Sequence, residues 1–404
     1  MYFTASVAIA ILAFADSIIG APTCQPNPTA ASAAGAVYFI TNAKHNSVVS
    51  IPIGANGLLS GAAVLTPTGG MGLGGMKADG TAAIPDSLFA QGTVRVVDDL
   101  LFTVDPGSNT VSMFQISQKN PSQLTMIGKP QSTGGEFPIS VTYSSTLNIA
   151  CVVNGGAVDG VSCFSVDKNG LHTLDASPRP LGLAQKTPAV GPPGTVSHIS
   201  FSQDSSALIV TVKGNPAIKD TGFVAIYPVS YGVVSRHATK SSPAGTALPF
   251  GISNVSAGNF IIADPSVGGA ILSIDPKSLQ VSTSSAITVA GQVAICWSAF
   301  SPVTKSAYLA DAGVNRIVEV DGTTGAIVAQ VGLTNGNKGM FDIAASGNFL
   351  YALSPTANST HIVVMDISGG KGSIKEAQNF EVVGLGLGTV MGLQVYATPA
   401  NMGW

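Results

Sequence analysis

The chain alternates between short apolar runs and brief clusters of Asp, Asn and Gly, and this pattern predicts a protein built from β-strands. Between residues 305 and 331, two turns at 311–315 and 321–325 separate three runs rich in β-branched and aromatic residues. Such runs, bounded by turn-forming residues, are typical of strands. A further apolar run at 292–298 precedes them, so this segment predicts one small sheet of four antiparallel strands.

The five-residue turn of this segment recurs along the chain. Turns of the same kind start at residues 42, 105, 154, 213, 264, 311 and 354, between 43 and 63 residues apart. Several open with Asp or Asn, whose side chain can bond nearby backbone, and close with Asn or Gly, which tolerate a left-handed conformation. Units of this length with about four strands indicate propeller blades. We therefore predict an all-β fold, a seven-bladed β-propeller that forms a single domain over residues 36–398.

The two ends of the predicted ring complement each other. The first unit offers only three strands, at 37–41, 47–53 and about 58–65, whereas residues 390–397 form an extra strand after the last repeat. A C-terminal strand that joins the N-terminal blade would close the ring and remove an exposed edge. The Gly- and Met-rich stretch 66–80 matches no phosphate-binding fingerprint, so we expect a surface loop there.

The first residues predict export. An apolar run from Ala5 to Ala15 continues to Ala21 and is too short for a comfortable membrane span. We expect a signal peptide at 1–21, a tail at 22–35 and a secreted, monomeric protein without a membrane segment. The 18 basic residues are scattered singly and the net charge is −3, which argues against nucleic-acid binding.

Two of the four cysteines flank the turn that starts at residue 154. If Val153 pairs with Val161, Cys151 faces Cys163 across a hairpin, within the Cα separation of a disulfide. We predict this bridge in an oxidising compartment, while the pairing of Cys24 and Cys296 stays open. The sequons at Asn254 and Asn358 are predicted glycosylation sites.

Polar residues at the openings of the predicted inner strands are the candidates for chemistry, because propeller ligands bind near the axis. A general acid–base pair is one interpretation, and hydrogen bonding of backbone groups inside a water-filled channel is the other. The five histidines share no metal-ligand spacing and no G-x-S-x-G motif occurs, so we expect no metal, no cofactor and no serine triad. The candidates are Gln91, Arg95, Glu136, His198, Gln292 and Asp342.

Two stretches carry a family resemblance. Residues 86–97 with 101–114, and residues 151–156 with 159–164, resemble secreted fungal 3-carboxymuconate cyclase-like proteins. These belong to the wider lactonase superfamily of seven-bladed propellers, which includes 6-phosphogluconolactonase-like proteins. The resemblance covers about residues 36 to 398 and implies the same propeller fold.

The resemblance also implies a chemistry. Enzymes of that superfamily open or close a lactone on an anionic substrate with His, Arg and Glu near the axis. Members often carry His-Pro-His and Pro-Arg-His at two successive inner strands, where this chain has 137–139 (Phe-Pro-Ile) and 196–198 (Val-Ser-His). Pro138 and His198 match this pattern.

Two hypotheses about function follow. In the first, the protein is a lactonase or carboxymuconate cyclase-type enzyme that takes a small anionic or lactone ligand. His198 and Glu136 are then the acid–base residues, Arg95 is the anion contact, and Gln91, Gln292 and Asp342 are further ligand contacts. In the second, the protein is a non-catalytic secreted propeller that serves as a binding or surface-antigen module.

Overall fold

The computed structural model describes residues 33–386 and 388–398. The predicted signal peptide, nearly all of the predicted tail and Cys24 lie outside the described residues. Within them, the chain forms seven antiparallel sheets, one two-stranded parallel pair and one short 3₁₀ helix, Pro216–Ile218. No helix in this part of the chain is both long and apolar enough to cross a membrane.

Seven sheets form the blades, and in each blade the chain runs from the innermost strand outwards, except that the innermost strand of blade 1 comes from the C-terminal end. Blade 1 contains Met391–Ala397, Gly35–Ile40, Ser47–Ile53 and Val64–Pro67; blade 2 contains Val94–Val97, Leu100–Asp105, Thr110–Ile116, Leu124–Met126 and Gln131–Ser132. Blade 3 contains Pro138–Ser144, Ile149–Asn154, Gly160–Asp167 and Gly170–Thr173; blade 4 contains Val196–Phe201, Ala207–Val212, Phe223–Ser230, Val233–Val234 and Thr239–Ser241.

Each of the last three blades contains four strands. Blade 5 contains Ile252–Ser256, Asn259–Asp264, Gly268–Ile274 and Val281–Thr288; blade 6 contains Ile295–Ser301, Ser306–Asp311, Arg316–Asp321 and Ile327–Gly332; blade 7 contains Ile343–Ser346, Phe349–Pro355, Thr360–Asp366 and Lys375–Glu381. Outside the blades, Met76–Lys77 pairs in parallel with Val190–Gly191.

The ring closes as the sequence predicts. Met391–Ala397 pairs antiparallel with Gly35–Ile40, so that Val395 lies opposite Val37. The outer strand of blade 1 is the exception, because it spans Val64–Pro67 and not about 58–65. Leu59 makes only an isolated bridge to Ile53 of blade 1 and also contacts blade 7, where Gln378 exchanges two hydrogen bonds with its backbone. The buried Leu59 therefore packs between two blades and is not free to extend the strand.

The repeated turns tie each blade together. In blade 5, the carboxylate of Asp264 accepts hydrogen bonds from the backbone N–H groups of Ala247 and Leu248, which lead into the inner strand. Asp311 plays the same part in blade 6 by accepting from Ala294 N at 2.9 Å. Asn109 (φ 56°) and Asn315 (φ 48°) close their turns in the left-handed conformation that the sequence predicts. The recurring residues of the repeat thus have structural roles.

The stretch 66–80 is more closely held than a free surface loop. Thr68 donates a 2.5 Å hydrogen bond to the carboxylate of Asp105, and Gly72 N donates to the carbonyl of Ala43. A Cβ at Gly72 would lie 2.2 Å from the carbonyl carbon of Asn42. Glycine is needed there because two backbones approach each other closely.

The predicted disulfide is present in blade 3. Val153 lies opposite Val161 and Cys151 opposite Cys163, with a Cα–Cα distance of 4.1 Å. Both cysteines belong to a buried cluster that spans blades 1 to 4. Cys296 is a buried free thiol in blade 6.

Candidate functional site at the propeller axis

A segment of chain fills the centre of the ring. Residues 86–91, termed the axial segment, precede the inner strand of blade 2. Gln91 bridges to blade 6, where its side-chain Nε2 donates to Ser298 O at 2.8 Å and its Oε1 accepts from Ser298 N at 3.1 Å. The indole N–H of Trp297 donates to Ala90 O at 3.1 Å. These bonds hold the segment against the far side of the ring, so the axial channel is not an open pore.

A buried lysine holds the other side of the axial segment. Lys213 donates from Nζ to Phe89 O (2.7 Å), Val196 O (3.1 Å) and Ser197 Oγ (2.8 Å). Its three N–H donors are therefore used, and the ammonium also lies 4.4 Å from the centre of the Phe250 ring. Burial lowers the pKa of Lys213, and the nearby carboxylate of Asp86 opposes this effect. Lys213 thus acts as a cross-link and is not available to a ligand.

Beside the axial segment lies a cavity of about 260 Å³. Its walls are residues of the inner strands of six blades, together with Gln91 and Gly92 just before the inner strand of blade 2, and several of these residues are half-buried. The polar members of the lining are Gln91, Arg95, His198, Ser200, Ser253, Asn254, Ser298 and Gln394.

Arg95 is the charged residue of this lining. Its Nε is buried without a hydrogen-bond partner, and the structure gives its guanidinium no ion pair among the described residues. Burial lowers the pKa of Arg95 from its usual value, but a guanidinium remains charged at any physiological pH. Arg95 is half-buried and its charge is not paired among the described residues, so this side of the cavity favours an anion or a strongly polarised oxygen.

His198 lies close to Arg95 and is held in one orientation. Its Nδ1 accepts the backbone N–H of Ile252 at 2.9 Å, which leaves the proton on Nε2. Burial, assisted by the charge of Arg95, lowers the pKa of His198 to about 3. The imidazole is therefore neutral near pH 7 and offers a hydrogen-bond donor. Gly92 makes room for it, because a Cβ there would lie 2.7 Å from Nε2.

Asp342 is not part of the cavity lining, although it is close to the axis. Its carboxylate accepts the N–H groups of Ile343 (2.8 Å) and Leu393 (3.1 Å), which connects blade 7 to the closing strand of blade 1. Burial raises the pKa of Asp342 to about 8, while these backbone donors act in the opposite direction. In this structure the residue joins two blades.

Glu136 and Gln292 lie before their inner strands begin, away from the cavity. Thr187 donates a hydrogen bond from its hydroxyl to the carboxylate of Glu136, whose side chain does not line the cavity. Gln292 donates from Nε2 to Pro265 O at 2.6 Å. The structure therefore brings together Gln91, Arg95 and His198 from the predicted set and does not place Glu136, Gln292 or Asp342 with them.

The two sequons lie in different surroundings. Asn254 lines the axial cavity, and its Nδ2 already donates to Phe201 O at 2.8 Å. Asn358 is exposed between the second and third strands of blade 7. The geometry therefore leaves Asn358 as the accessible one of the two predicted glycosylation sites.

Sequence reasoning missed several lining residues. Gln394 and the serines Ser253 and Ser298 lie within inner strands, and the two serine hydroxyls are 2.9 Å apart. The available signal was a polar residue inside an otherwise apolar inner strand, as in the run Leu393-Gln394-Val395.

Comparisons with known proteins show the fold of this chain. No protein-family model matches the chain, and no curated protein matches its sequence. Among solved structures, a putative 6-phosphogluconolactonase from Bacteroides fragilis is similar with a TM-score of 0.57 and 13% identity, over 92% of this chain and 100% of the other. The periplasmic gluconolactonase PpgL of Pseudomonas aeruginosa has a TM-score of 0.59 and 15% identity, over 90% and 99%. A functionally unknown protein from Desulfotomaculum acetoxidans has a TM-score of 0.59 and 13% identity, over 90% and 99%.

Proposed function

We propose that the protein binds a small molecule carrying a carboxylate or a lactone in the axial cavity and interconverts the lactone with its open hydroxy acid. The observation that carries this proposal is the guanidinium of Arg95, which lines the cavity without an ion pair among the described residues. Bidentate contact with a carboxylate is the usual use of such a group. The bound anion or carbonyl oxygen would supply the missing partner.

The chemistry of ring opening fits the charges of the site. Water adds to the lactone carbonyl carbon, the ring C–O bond breaks, and the departing ring oxygen receives a proton as the hydroxy acid forms. Negative charge develops on the carbonyl oxygen during this addition, and donors aimed at such a charge are a large source of catalysis. Arg95 and the Nε2–H of neutral His198 are the two donors of this kind. His198 therefore acts in the proposal as a hydrogen-bond donor, not as a general base.

Two neighbours in fold are named as lactonases, namely the putative 6-phosphogluconolactonase and the gluconolactonase. This supports the choice of lactones as the compounds to test.

We propose secretion as well, for which the Cys151–Cys163 bridge is the support, since disulfides persist in oxidising compartments.

The second candidate is binding without turnover. One observation favours it: the residues that line the cavity include no Asp and no Glu, so no carboxylate is in place to activate water. A secreted propeller that only captures a small anion would need Arg95 and the amide side chains but no base.

A paired assay separates the two candidates. Purified protein is incubated with a panel of sugar lactones, muconolactones and carboxymuconates, with ring opening followed by acid release and binding followed by calorimetry. If the protein is a lactonase, Arg95→Gln should lower kcat/KM by about 10²–10³. Lys375→Gln, which removes an exposed cation paired with Asp366, is the matched control and should change nothing.

His198→Asn tests the donor role. The Asn amide oxygen can still accept the Ile252 N–H, but the variant lacks the Nε2–H donor, so turnover should fall while the fold is kept. Ligand binding that depends on Arg95 without any turnover would establish the second candidate. If no compound of the panel binds or reacts, or if Arg95→Gln leaves binding unchanged, the assignment of the axial cavity is wrong.

A further inference from the structure

Two further cavities lie at the outer edge of blades 3 and 4, on residues that do not line the axial cavity. The first has a volume of about 450 Å³ and the second about 320 Å³. Arg179 and Arg236 line both, so the two cavities meet at these side chains. The apolar members of the first cavity are Leu147, Ile149, Val166, Leu174, Val233 and Val234.

The first cavity exists because the outer strand of blade 3 is short. Gly170–Thr173 pairs only with residues 164–167 of the neighbouring strand. The remaining part of that strand is met by a bridge between Val161 and Arg179 and by a hydrogen bond from Leu174 N to Cys163 O. The gap is rimmed by Leu174 and Val233, whose exposures are 52% and 67%. Large apolar side chains exposed around a concave surface are typical of a binding site.

Positive charge exceeds negative charge where the cavities meet. Asp175 is shared by two cations, with Arg179 Nη1 at 2.8 Å and Arg236 Nη1 at 2.9 Å. The other nearby carboxylate, Asp159, accepts the backbone N–H groups of residues 181, 182 and 183. The second cavity adds Lys240 and His237, and no Asp or Glu lines it. The junction therefore has an unbalanced positive charge.

The two arginines differ in their availability to a ligand. Arg179 is 4% exposed and its Nε is buried without a partner. The side chain of Arg236 is 51% exposed, so much of its guanidinium faces solvent. A ligand anion can reach Arg236 directly, whereas the Nη atoms of Arg179 already bond to Asp175, Cys163 and Val234.

From this arrangement we infer a second binding site for an amphipathic carboxylate. The apolar part of the ligand occupies the cavity lined by Leu174, Val233 and Val234, and its carboxylate pairs with Arg236 at the junction. A volume of about 450 Å³ lies within the usual range of small-molecule sites. The site shares no residue with the axial cavity and is independent of the proposed lactone chemistry.

Calorimetry with hexanoate, octanoate and decanoate on the full-length protein tests the site. Affinity should rise with chain length because each added methylene is removed from water. Arg236→Gln should weaken decanoate binding by about tenfold or more, since it removes a charged hydrogen-bond partner. Val233→Asp should weaken it as well by adding a negative charge at the rim. Arg236 and Val233 are both exposed, and the buried Asp175 keeps its ion pair with Arg179 when Arg236 is replaced, so both variants should fold.

Matched controls exclude general effects. Val383→Asp alters another exposed valine, at 85% exposure, and Lys375→Gln removes another exposed, ion-paired cation. Both should bind decanoate like the wild type. Decanol should bind more weakly and should not respond to Arg236→Gln. The inference is overturned if none of the carboxylates binds, or if decanoate binds equally well to wild type, Arg236→Gln and Val233→Asp.

Discussion

His198 is a neutral imidazole whose surroundings oppose its protonation, and the stability of the fold therefore depends on pH. The pKa of His198 falls from 6.5 to about 3 on folding. Because the folded state binds the proton less readily, the stabilisation is complete above about pH 6.5 and is lost as the pH falls towards 3. For one proton the slope reaches about 1.4 kcal/mol per pH unit.

The measurement is the difference in unfolding free energy between wild type and His198→Asn from pH 7 to pH 4. As the pH falls, the wild type should lose unfolding free energy relative to His198→Asn. Asp342, with a pKa raised to about 8, has the opposite effect: its contribution to stability is complete below about pH 3.8 and is lost as the pH rises through 8. Both proteins contain Asp342, so its contribution cancels when the two unfolding free energies are subtracted. A difference that stays constant with pH would show that His198 titrates normally.

The sequence predicted part of the candidate site. Gln91, Arg95 and His198 were found because each is a polar residue at an inner-strand opening, and all three line the axial cavity. Glu136 and Gln292 fit the same pattern, but their side chains bond to Thr187 and to the carbonyl of Pro265 outside the cavity. A linear pattern indicates nearness to the axis without indicating the depth along it.

At the level of single elements, the asparagines that close the repeated turns test whether a left-handed backbone explains the choice of residue there. Asn109 has φ 56° and its side-chain oxygen accepts the N–H of Phe137 at 2.9 Å. Both substitutions lose this hydrogen bond, but Asn109→Ala keeps a Cβ in the left-handed region without the local side-chain bonding that helps Asn adopt it, whereas Asn109→Gly removes the Cβ. Asn109→Ala should therefore be less stable than Asn109→Gly by about 1 kcal/mol.

Denaturant unfolding of both variants measures this difference. The same pair of substitutions at Asn315, with φ 48°, should give the same order. Asn169 provides the control, because it is an exposed turn residue outside the left-handed set. There the Ala variant should be at least as stable as the Gly variant. An equal result at all three positions would contradict the role of backbone conformation.

The hairpin of blade 3 gives a second element-scale prediction. The disulfide joins residues 12 apart in sequence, and closing a loop of this size stabilises the native state by up to about 3 kcal/mol. The double variant Cys151→Ala, Cys163→Ala should lower the unfolding free energy by this order. Peptide mapping without reductant should find the two cysteines joined. Two free thiols in the purified oxidised protein would contradict the bridge.

At the scale of the whole molecule, the sequence pattern indicates the number of blades but not what fills their centre. Each blade repeats a local pattern of strands and turns, which a linear reading can detect. The contacts of the axial segment are not local: Lys213 bonds to Phe89, 124 residues away, and Trp297 bonds to Ala90 across 207 residues. The sequence gives one indication of these contacts, because Lys213 is a charged residue directly after the apolar run 207–212.

The closing strand decides whether the ring behaves as one unit. Met391 and Leu393 are fully buried, and Leu393 N donates to Asp342 of blade 7. Truncation after Val390 removes these contacts and exposes the edge of Gly35–Ile40, which invites pairing with other chains. We expect a lower unfolding temperature and aggregation that increases with protein concentration, measured by calorimetry and light scattering. Truncation after Thr398, which removes only residues beyond the closing strand, is the control and should match the full-length protein. If the protein truncated after Val390 has the same unfolding temperature as the full-length protein, the ring does not depend on its closing strand.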